Sequence, residues 1–518
     1  MRKPLAVALA VGGLAIAATG TTFLATADAD RQPSTATGEL RQAASRTDAE
    51  RQPPLRWTAC PGPAKGVLEC SELRVPLDYG APEGRTIQIA LSRRPASTGA
   101  KGADPAKRRV LLLNPGGPGL PGLASPTPVA TPLPPSVLDA YQVIGFDPRG
   151  VGRSTPLTCG LTPEQSAVAS NPPSPRDAAD VAEQARTAEQ LAEACAASRT
   201  GDLMPYMTTA NTARDMDRIR AALGVPKVSY YGTSYGTYLG AVYTTLFPTR
   251  ADRFVLDSSL PPEGYDINAL RGQGEGFEAR FPDFAAYAAG HAAQYQLGAT
   301  AGAVREKYFQ LAERLDGKPS QGTDGATFRA LTSGLLRSDS TFPALAGIWH
   351  KLDTDQPLSD PGQGGGAAPG DNFQASHLAV ICGDTPWPRD LKTYEDNVAA
   401  DRARYPMYGP TAATIRPCAY WKAPVEKKVR ITGDGPAGQV LMIQNLRDPA
   451  TPLSGARRMR QALGNRARMV TVDQGGHGAY LFGANRCGND TVTAYLTTGR
   501  LPNGDTSCPA QPSSTGGG

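Results

Sequence analysis

Short apolar runs alternate with helical stretches along most of this chain. The third run is continuously apolar from Val110 to Leu113, as expected of a parallel strand whose two faces are both covered. Helical stretches such as Arg176–Ser198 and Thr212–Leu223 separate the runs, and this alternation predicts a doubly wound, mostly parallel α/β sheet of eight strands. The eight strand-like runs are Ser71–Tyr79, Arg85–Ser92, Arg109–Asn114, Tyr141–Asp147, Lys227–Gly232, Arg253–Asp257, Gln439–Asn445 and Arg468–Asp473.

Residues 260–430 interrupt this alternation, because they are mostly helical and contain no clear strand-like run. They lie between the sixth and seventh runs. We therefore predict a helical cap inserted into a sheet core that consists of residues 51–259 and 431–508. The Gly-rich loop Gly362–Gly370 inside the cap is consistent with either a mobile lid or a solvated surface loop.

The first residues are typical of a secretory signal peptide. Arg2 and Lys3 precede an apolar run, Leu5–Ala18, and Ala25-Thr26-Ala27 fits the A-x-A cleavage pattern. The apolar run is shorter than the roughly 20 residues that cross a membrane. We therefore predict that residues 1–27 are removed and that the mature chain is secreted, extracellular and without a membrane segment.

Two polar segments flank the region of alternating elements. Residues 28–50 and 509–518 contain too few apolar side chains to offset the entropy lost on ordering, which predicts a disordered leader or pro-segment and a disordered tail. The net charge is only +5, and no run of Lys and Arg is interleaved with aromatic residues. A nucleic-acid partner is therefore not expected, and we predict a monomer.

The cysteine content agrees with export. An even number of cysteines, eight, indicates disulfides in an exported protein. No C-x-x-C pair is present and the chain has only four histidines, so neither a metal site nor a cofactor is predicted. Eight cysteines allow 105 pairings, and the sequence does not choose among them. Neighbour pairing is our hypothesis: Cys60–Cys70, Cys159–Cys195, Cys382–Cys418 and Cys487–Cys508.

The strongest chemical signal is a G-x-S-x-G motif formed by residues 232–236, with Ser234 at its centre. The motif follows the fifth strand-like run and precedes a helical stretch, Tyr238–Phe247. A sharp strand-to-helix turn exposes the serine hydroxyl above the sheet, and small residues on both sides let the backbone turn that tightly. Ser234 is therefore the candidate nucleophile.

A serine nucleophile needs a base and an acid, which follow it along the chain in this type of site. His477 lies in a glycine-rich loop directly after the last run, and Asp448 directly follows the seventh run. Asp473 competes with Asp448 but is less well placed, because it ends the strand before His477. Thr451 either supports Asp448 or is a plain turn residue. The other histidines lie in the predicted cap: His291, His350 and His377.

Two N–H groups are needed to stabilise the negative charge on the oxygen of the reacting carbonyl. One is expected from Tyr235, the residue after the nucleophile, and the other from the loop after the third run. That loop, residues 114–119, reads N-P-G-G-P-G. The amide of Gly117 is the preferred donor and that of Gly116 the alternative.

These motifs together resemble the exported tripeptidyl aminopeptidases of actinomycete bacteria, which are relatives of the prolyl iminopeptidases with an α/β-hydrolase fold. The iminopeptidases usually carry a histidine before G-G-P-G, whereas this chain has Asn114-Pro115. The matching motifs are N-P-G-G-P-G at 114–119, F-D-P-R-G-V-G-R-S at 146–154, Y-G-T-S-Y-G-T-Y-L-G at 231–240, R-D-P-A-T-P at 447–452 and G-G-H-G at 475–478.

The resemblance implies release of tripeptides, or of tetrapeptides, from the free N-termini of peptides and proteins, with proline before the cut bond in some relatives. An acid from the cap would bind the substrate ammonium. Glu263 and Asp384 are the candidates, and a solvated carboxylate is the alternative for each. Two other functions stay open: a secreted esterase or lipase with the same three residues, and an inactive hydrolase-fold binding protein.

Overall fold

A computed structural model describes residues 54–61, 66–95, 108–358, 370–422 and 425–511. The predicted signal peptide and leader lie outside the described residues, as do residues 512–518 of the predicted tail and most of the Gly-rich loop of the cap. Within the described ranges, no helix combines the length and the apolar character needed to span a membrane.

Ten strands form one mixed sheet, in the order β1-β2-β3-β5-β4-β6-β7-β8-β9-β10. In this order, the strands from β5 through β4 to β10 pair in parallel. At the other edge, β1, β2, β3 and β5 pair as antiparallel neighbours. The two strands absent from the sequence prediction, β1 and β10, span two and three residues, which is too short for a periodic pattern. The bounds are β1 Thr58–Ala59, β2 Glu69–Pro76, β3 Thr86–Arg93, β4 Arg109–Asn114, β5 Tyr141–Phe146, β6 Val228–Thr233, β7 Ala251–Asp257, β8 Val440–Arg447, β9 Ala467–Gly475 and β10 Thr506–Cys508.

The apolar run of β4 follows from its place in the middle of the sheet. Val110 and Leu112 pack into one hydrophobic cluster, and Leu111 and Leu113 pack into another. Successive side chains of a strand point to opposite faces, so a strand that is covered on both sides must be apolar at every position.

Helices cover the sheet, and the described residues between β7 and β8 contain a group of eight. The helices outside that group connect strands that are consecutive along the chain. The bounds are α1 Pro135–Ala140, α2 Pro163–Ser170, α3 Ala178–Ala197, α4 Thr209–Ala222, α5 Tyr235–Leu246, α6 Ile267–Gly290, α7 Ala292–Tyr295, α8 Ala301–Gly317, α9 Gly325–Leu335, α10 Phe342–Asp353, α11 Asn372–Gly383, α12 Leu391–Arg404, α13 Gly409–Ala413, α14 Leu453–Leu463 and α15 Arg486–Thr498.

Residues 258–439, here named the helical insertion, contain α6 to α13. Their described part has a hydrophobic core of its own, centred on Phe277, Phe281, Tyr308 and Trp349. The four aromatic side chains are at most 3% exposed, and Phe281 contacts the rings of the other three. The insertion therefore has a second core besides that of the sheet, while its helix α11 packs into the cluster that covers one face of the sheet.

Four disulfides connect the cysteines in the neighbour pairs that the sequence suggested: Cys60–Cys70, Cys159–Cys195, Cys382–Cys418 and Cys487–Cys508. The third disulfide joins the end of α11 to the segment after α13.

The motif at 146–154 has a structural role. Arg149 forms a fully buried, two-pronged ion pair with Asp215, with both N–O distances 2.7 Å. Asp147 accepts hydrogen bonds from the backbone N–H groups of Gly122 and Leu123, at 2.8 and 3.0 Å. Since these two residues continue the loop after β4, the motif holds in place the chain that follows the predicted N–H donors at Gly116 and Gly117.

Candidate active site

The backbone turns sharply at Ser234, between the end of β6 and the start of α5. Ser234 has φ 60° and ψ −125°, a conformation that is uncommon for residues other than glycine. A Cβ at Gly232 would lie 2.6 Å from the Gly236 carbonyl oxygen, and one at Gly236 would lie 2.9 Å from that of Asn114. The two glycines of the motif are therefore needed for this turn.

The loop after β4 packs directly against this turn. A Cβ on Gly116 would lie 3.0 Å from the Ser234 Cβ and 3.2 Å from the Tyr235 nitrogen. The Gly116 N–H is already used, because it donates to the Asn114 side-chain oxygen at 3.0 Å. Within the part of the chain that the structure describes, the Gly117 N–H makes no hydrogen bond. This difference favours Gly117 over Gly116 as the donor beside Ser234.

Asp448 and His477 are brought together at the ends of β8 and β9. The His477 Nδ1 lies 3.0 Å from each oxygen of Asp448. Asp448 also accepts hydrogen bonds from the N–H groups of Ala450 and Thr451 and from the Thr451 hydroxyl, at 2.9, 2.9 and 3.0 Å. The Thr451 hydroxyl lies 3.4 Å from the His477 Nδ1, so Thr451 contacts both members of the pair.

The charge state of Asp448 follows from these contacts. The carboxylate is 1% exposed. Burial alone would raise its pKa, but the His477 imidazole and the N–H groups of Thr451 and Ala450 outweigh burial and hold the pKa of Asp448 below its usual value. Asp448 is therefore an ionised acceptor that orients the imidazole.

Asp257, at the end of β7, connects the Ser234 turn to the His477 loop. Its backbone oxygen accepts the Ser234 N–H at 2.9 Å. Its carboxylate accepts the N–H groups of Ala479 and Tyr480, at 2.8 and 2.9 Å. Burial raises the pKa of Asp257 to about 6, although these two N–H groups oppose the rise. An aspartate at a strand end has no distinguishing local pattern, so the role of Asp257 could not be predicted from the sequence.

We predict that Asp257→Asn lowers kcat about 10- to 100-fold, because the amide would point N–H groups at backbone N–H donors and displace the loop that carries His477. The Tyr231 hydroxyl, which also donates to Asp257 at 3.0 Å, would lose an acceptor. Steady-state kinetics on one substrate is the measurement. Asp252→Asn, at the other end of the same strand, is the matched control and should leave kcat unchanged; equal losses in both variants would contradict the positioning role.

The remaining histidines and the competing acid make other contacts. Asp473 forms an ion pair with Arg447 at 2.8 Å, and 42% of its side chain is exposed. His291 and His350 hydrogen-bond to backbone oxygens within the helical insertion. His377 lies in the insertion but contacts the loop after β4, with its Nδ1 3.0 Å from the Pro118 oxygen. Burial lowers the pKa of His377 to about 4, so it is neutral near pH 7.

The two acids considered for the substrate ammonium have partners of their own. Glu263 is 3.4 Å from Arg458, and about half of its side chain is exposed. Both oxygens of Asp384 accept hydrogen bonds from Thr209, whose hydroxyl also lies 2.6 Å from the Tyr235 hydroxyl. Burial raises the pKa of Asp384 to about 6, and the contacts with Thr209 oppose the rise.

A cavity of about 1110 Å³ lies beside the site, lined by residues of α2, α3 and the helical insertion. Two lining residues touch the loops of the site. His377 contacts Pro118, and the Arg337 backbone oxygen accepts the His477 N–H at 2.8 Å. Glu263 and Asp384 are not among its lining residues. The volume exceeds the roughly 300–1,000 Å³ of small-molecule pockets and leaves room for several amino-acid residues.

The parallel strand order, with the serine turn after β6 and the Asp–His contact beyond β8 and β9, defines an α/β-hydrolase. The chain is 36% identical over 455 residues to a tripeptidyl aminopeptidase of Streptomyces lividans, a match covering 85% of this chain and 83% of that protein. It belongs to the tripeptidyl aminopeptidase family and is a serine peptidase.

Further comparisons agree with this assignment. A family model described as TAP-like protein matches residues 405–508. The serine protease Hip1 of Mycobacterium tuberculosis is 29% identical over 500 residues, covering 88% of this chain and 91% of Hip1. A carboxylesterase B of the same species is 30% identical over 461 residues, covering 84% and 85%. The chain is thus similar to proteins named as peptidases and to one named as an esterase.

Proposed function

We propose that this chain is a secreted serine exopeptidase that releases tripeptides from the free N-termini of peptides and proteins. The observation that carries the proposal is the contact of the His477 imidazole with both oxygens of Asp448, at the ends of β9 and β8, which lie three and two places from β6 in the sheet. The similarity to tripeptidyl aminopeptidase supports the choice of substrate. Four disulfides and the N-terminal sequence support export.

The proposed reaction is acyl transfer. His477 accepts the proton of the Ser234 hydroxyl through Nε2 while the serine oxygen attacks the peptide carbonyl. The N–H groups of Gly117 and Tyr235 stabilise the negative oxygen. His477 then protonates the leaving amine, and water hydrolyses the acyl-enzyme to regenerate Ser234.

The helical insertion acts as the cap in this proposal, with residues 260–430 as its bounds. Its residues form much of the wall of the large cavity beside the Ser234 turn. A cavity of this size beside the site leaves room for the end of a peptide chain, and this supports cleavage near N-termini. Glu263 and Asp384 are the predicted candidates for the acid that binds the substrate ammonium.

The test compares a tripeptidyl p-nitroanilide that has a free amine with the same compound acetylated at its N-terminus. We expect rapid cleavage of the free compound, release of an intact tripeptide by mass spectrometry, and a loss of at least about 100-fold in kcat/KM on acetylation, because a paired ammonium is worth several charge-assisted hydrogen bonds.

Two outcomes would contradict this function. Equal cleavage of the free and acetylated anilides would remove the requirement for a free N-terminus. Hydrolysis of a short acyl ester without cleavage of either anilide would instead support the esterase alternative, which the similarity to carboxylesterase B keeps open.

A further inference from the structure

The cavity wall contains a guanidinium that has no acidic partner among the described residues. Arg416, directly after a buried segment of the helical insertion, lines the cavity. Its Nε is buried and makes no hydrogen bond in the described part of the molecule. Its Nη2 reaches the Thr411 backbone oxygen only at 3.4 Å. Burial lowers the pKa of Arg416, yet an arginine side chain stays protonated in proteins.

Three other arginines of the cavity wall are paired or bonded, whereas the Arg337 side chain, like that of Arg416, forms no ion pair among the described residues. Arg329 lies 2.6 Å from Asp316, and Arg176 lies 2.8 Å from Asp180. Arg402 donates to a backbone oxygen. A partly buried cation without a counter-charge is less favourable than a paired one, and a ligand can supply the missing charge.

Among the described residues, tyrosines and a histidine rather than carboxylates lie around Arg416. Tyr265 and Tyr408 line the cavity and interact electrostatically with Arg416, and burial raises the pKa of Tyr265. His377, whose ring lies 5.8 Å from that of Tyr265, is neutral as well. The cavity-lining acids that form no ion pair among the described residues are on exposed positions, Glu183 and Glu313. The inner wall thus has a surplus of positive charge.

The position of Arg416 is rigid. Pro417 follows it, and Cys418 is joined by a disulfide to Cys382 at the end of α11. The same helix carries His377, which contacts Pro118 in the loop beside Ser234. A cation held in this way needs little rearrangement to bind an anion, which reduces the entropic cost of binding.

We propose that Arg416, assisted by the hydroxyl groups of Tyr265 and Tyr408, binds a carboxylate of the peptide substrate. A guanidinium can donate two parallel hydrogen bonds to a carboxylate, and the phenols can donate to the same oxygens. An acidic side chain within the released tripeptide is the expected source, because His377 and Arg337 of the cavity wall contact the loops that carry Pro118 and His477. This inference rests on the proposed function and extends it to substrate preference.

The experiment measures kcat/KM for pairs of tripeptidyl anilides that carry Glu or Gln at each of the three positions. The anilides lack a C-terminal carboxylate, so the ratio reports the side chain alone. At one position we expect the Glu compound to be favoured about 10- to 100-fold, the range expected for hydrogen bonds between charged groups. Arg416→Met should reduce this ratio to about 1, and Arg416→Lys should restore part of it because the charge returns without the two-pronged geometry.

Arg329→Met is the matched control. It removes a cavity arginine that is already paired with Asp316, so the Glu/Gln ratio should stay at the wild-type value. A second pair of substrates, a tetrapeptide with a free C-terminal carboxylate and its amide, tests the other source of the anion. If the wild type prefers the free carboxylate and Arg416→Met loses that preference, Arg416 binds the C-terminal carboxylate of short substrates.

Ratios near 1 in the wild-type protein for every pair, or a Glu preference that survives in Arg416→Met, would overturn the inference. Failure of the wild type to cleave any anilide would count against the proposed function instead. In that case the Glu and Gln tripeptides are titrated calorimetrically into Ser234→Ala, with and without the Arg416→Met substitution. Tighter binding of the Glu peptide that is lost with Arg416→Met supports the site. Equal binding of the two peptides refutes it.

Discussion

Replacing Ser234 by alanine is expected to lower kcat by about 10⁴- to 10⁶-fold, the range seen when the nucleophile of a serine hydrolase is removed. The substitution deletes the hydroxyl that forms the acyl-enzyme, while Gly117 and Tyr235 keep their N–H groups. Binding of unblocked tripeptides should therefore change little. The measurements are kcat on a tripeptidyl anilide and covalent labelling by a fluorophosphonate, which should occur in the wild type and be absent in Ser234→Ala.

The matched control for this prediction is Ser454→Ala, which removes an exposed serine hydroxyl on α14. That hydroxyl donates to Glu275 at 3.1 Å on the surface, and its loss should leave activity and labelling intact. Labelling that persists in Ser234→Ala would show that another residue is the nucleophile. Folded wild-type protein that takes no label would favour the inactive binding protein.

The second large effect is expected for Asp448→Asn, which should lower kcat about 10⁴-fold. An amide in place of the carboxylate favours the wrong tautomer of His477 and does not stabilise the imidazolium that forms during the reaction. Asp473→Asn is the control, because Asp473 pairs with Arg447 and is exposed. The kcat of Asp473→Asn should stay within about twofold of wild type. A large loss of kcat in Asp473→Asn, together with an active Asp448→Asn, would show that Asp473 is the acid.

Asp448→Asn is also expected to change how the free energy of unfolding depends on pH. The pKa of Asp448 is lowered in the folded protein from its ordinary value of 3.8, so the ionised carboxylate stabilises the fold at pH values above that ordinary value. This stabilisation is lost as the pH falls through the folded-state pKa. The difference in unfolding free energy between wild type and Asp448→Asn should therefore be constant near pH 7 and shrink below about pH 4, as measured by denaturant titration.

Local patterns were sufficient for the long strands and for the chemically distinctive residues. The runs around β4 and β6 were predicted because a strand covered on both faces must be apolar throughout. The G-x-S-x-G motif predicted the sharp turn at Ser234, since only small neighbours permit that backbone conformation. The glycine loop before His477 and the position of Asp448 after β8 could be identified from their place relative to strands.

Other features depend on contacts between distant segments. Asp257 is 222 residues from Ala479 along the chain, and no local pattern shows that its carboxylate accepts that N–H. The choice of Gly117 over Gly116 depends on the orientation of the Asn114 side chain. His377 was placed in a cap by sequence, yet it contacts the loop beside Ser234.

The amino-acid sequence by itself determined the order of the elements, the turn at Ser234 and the three residues of the proposed triad, because periodicity and turn chemistry act over a few neighbouring residues. Only the tertiary structure decided that Asp257 connects two loops of the site and that Arg416 lines a cavity with no acidic partner in the described ranges of the chain. Burial and pairing of a charge depend on every segment packed around it, and those segments are brought together only when the chain folds.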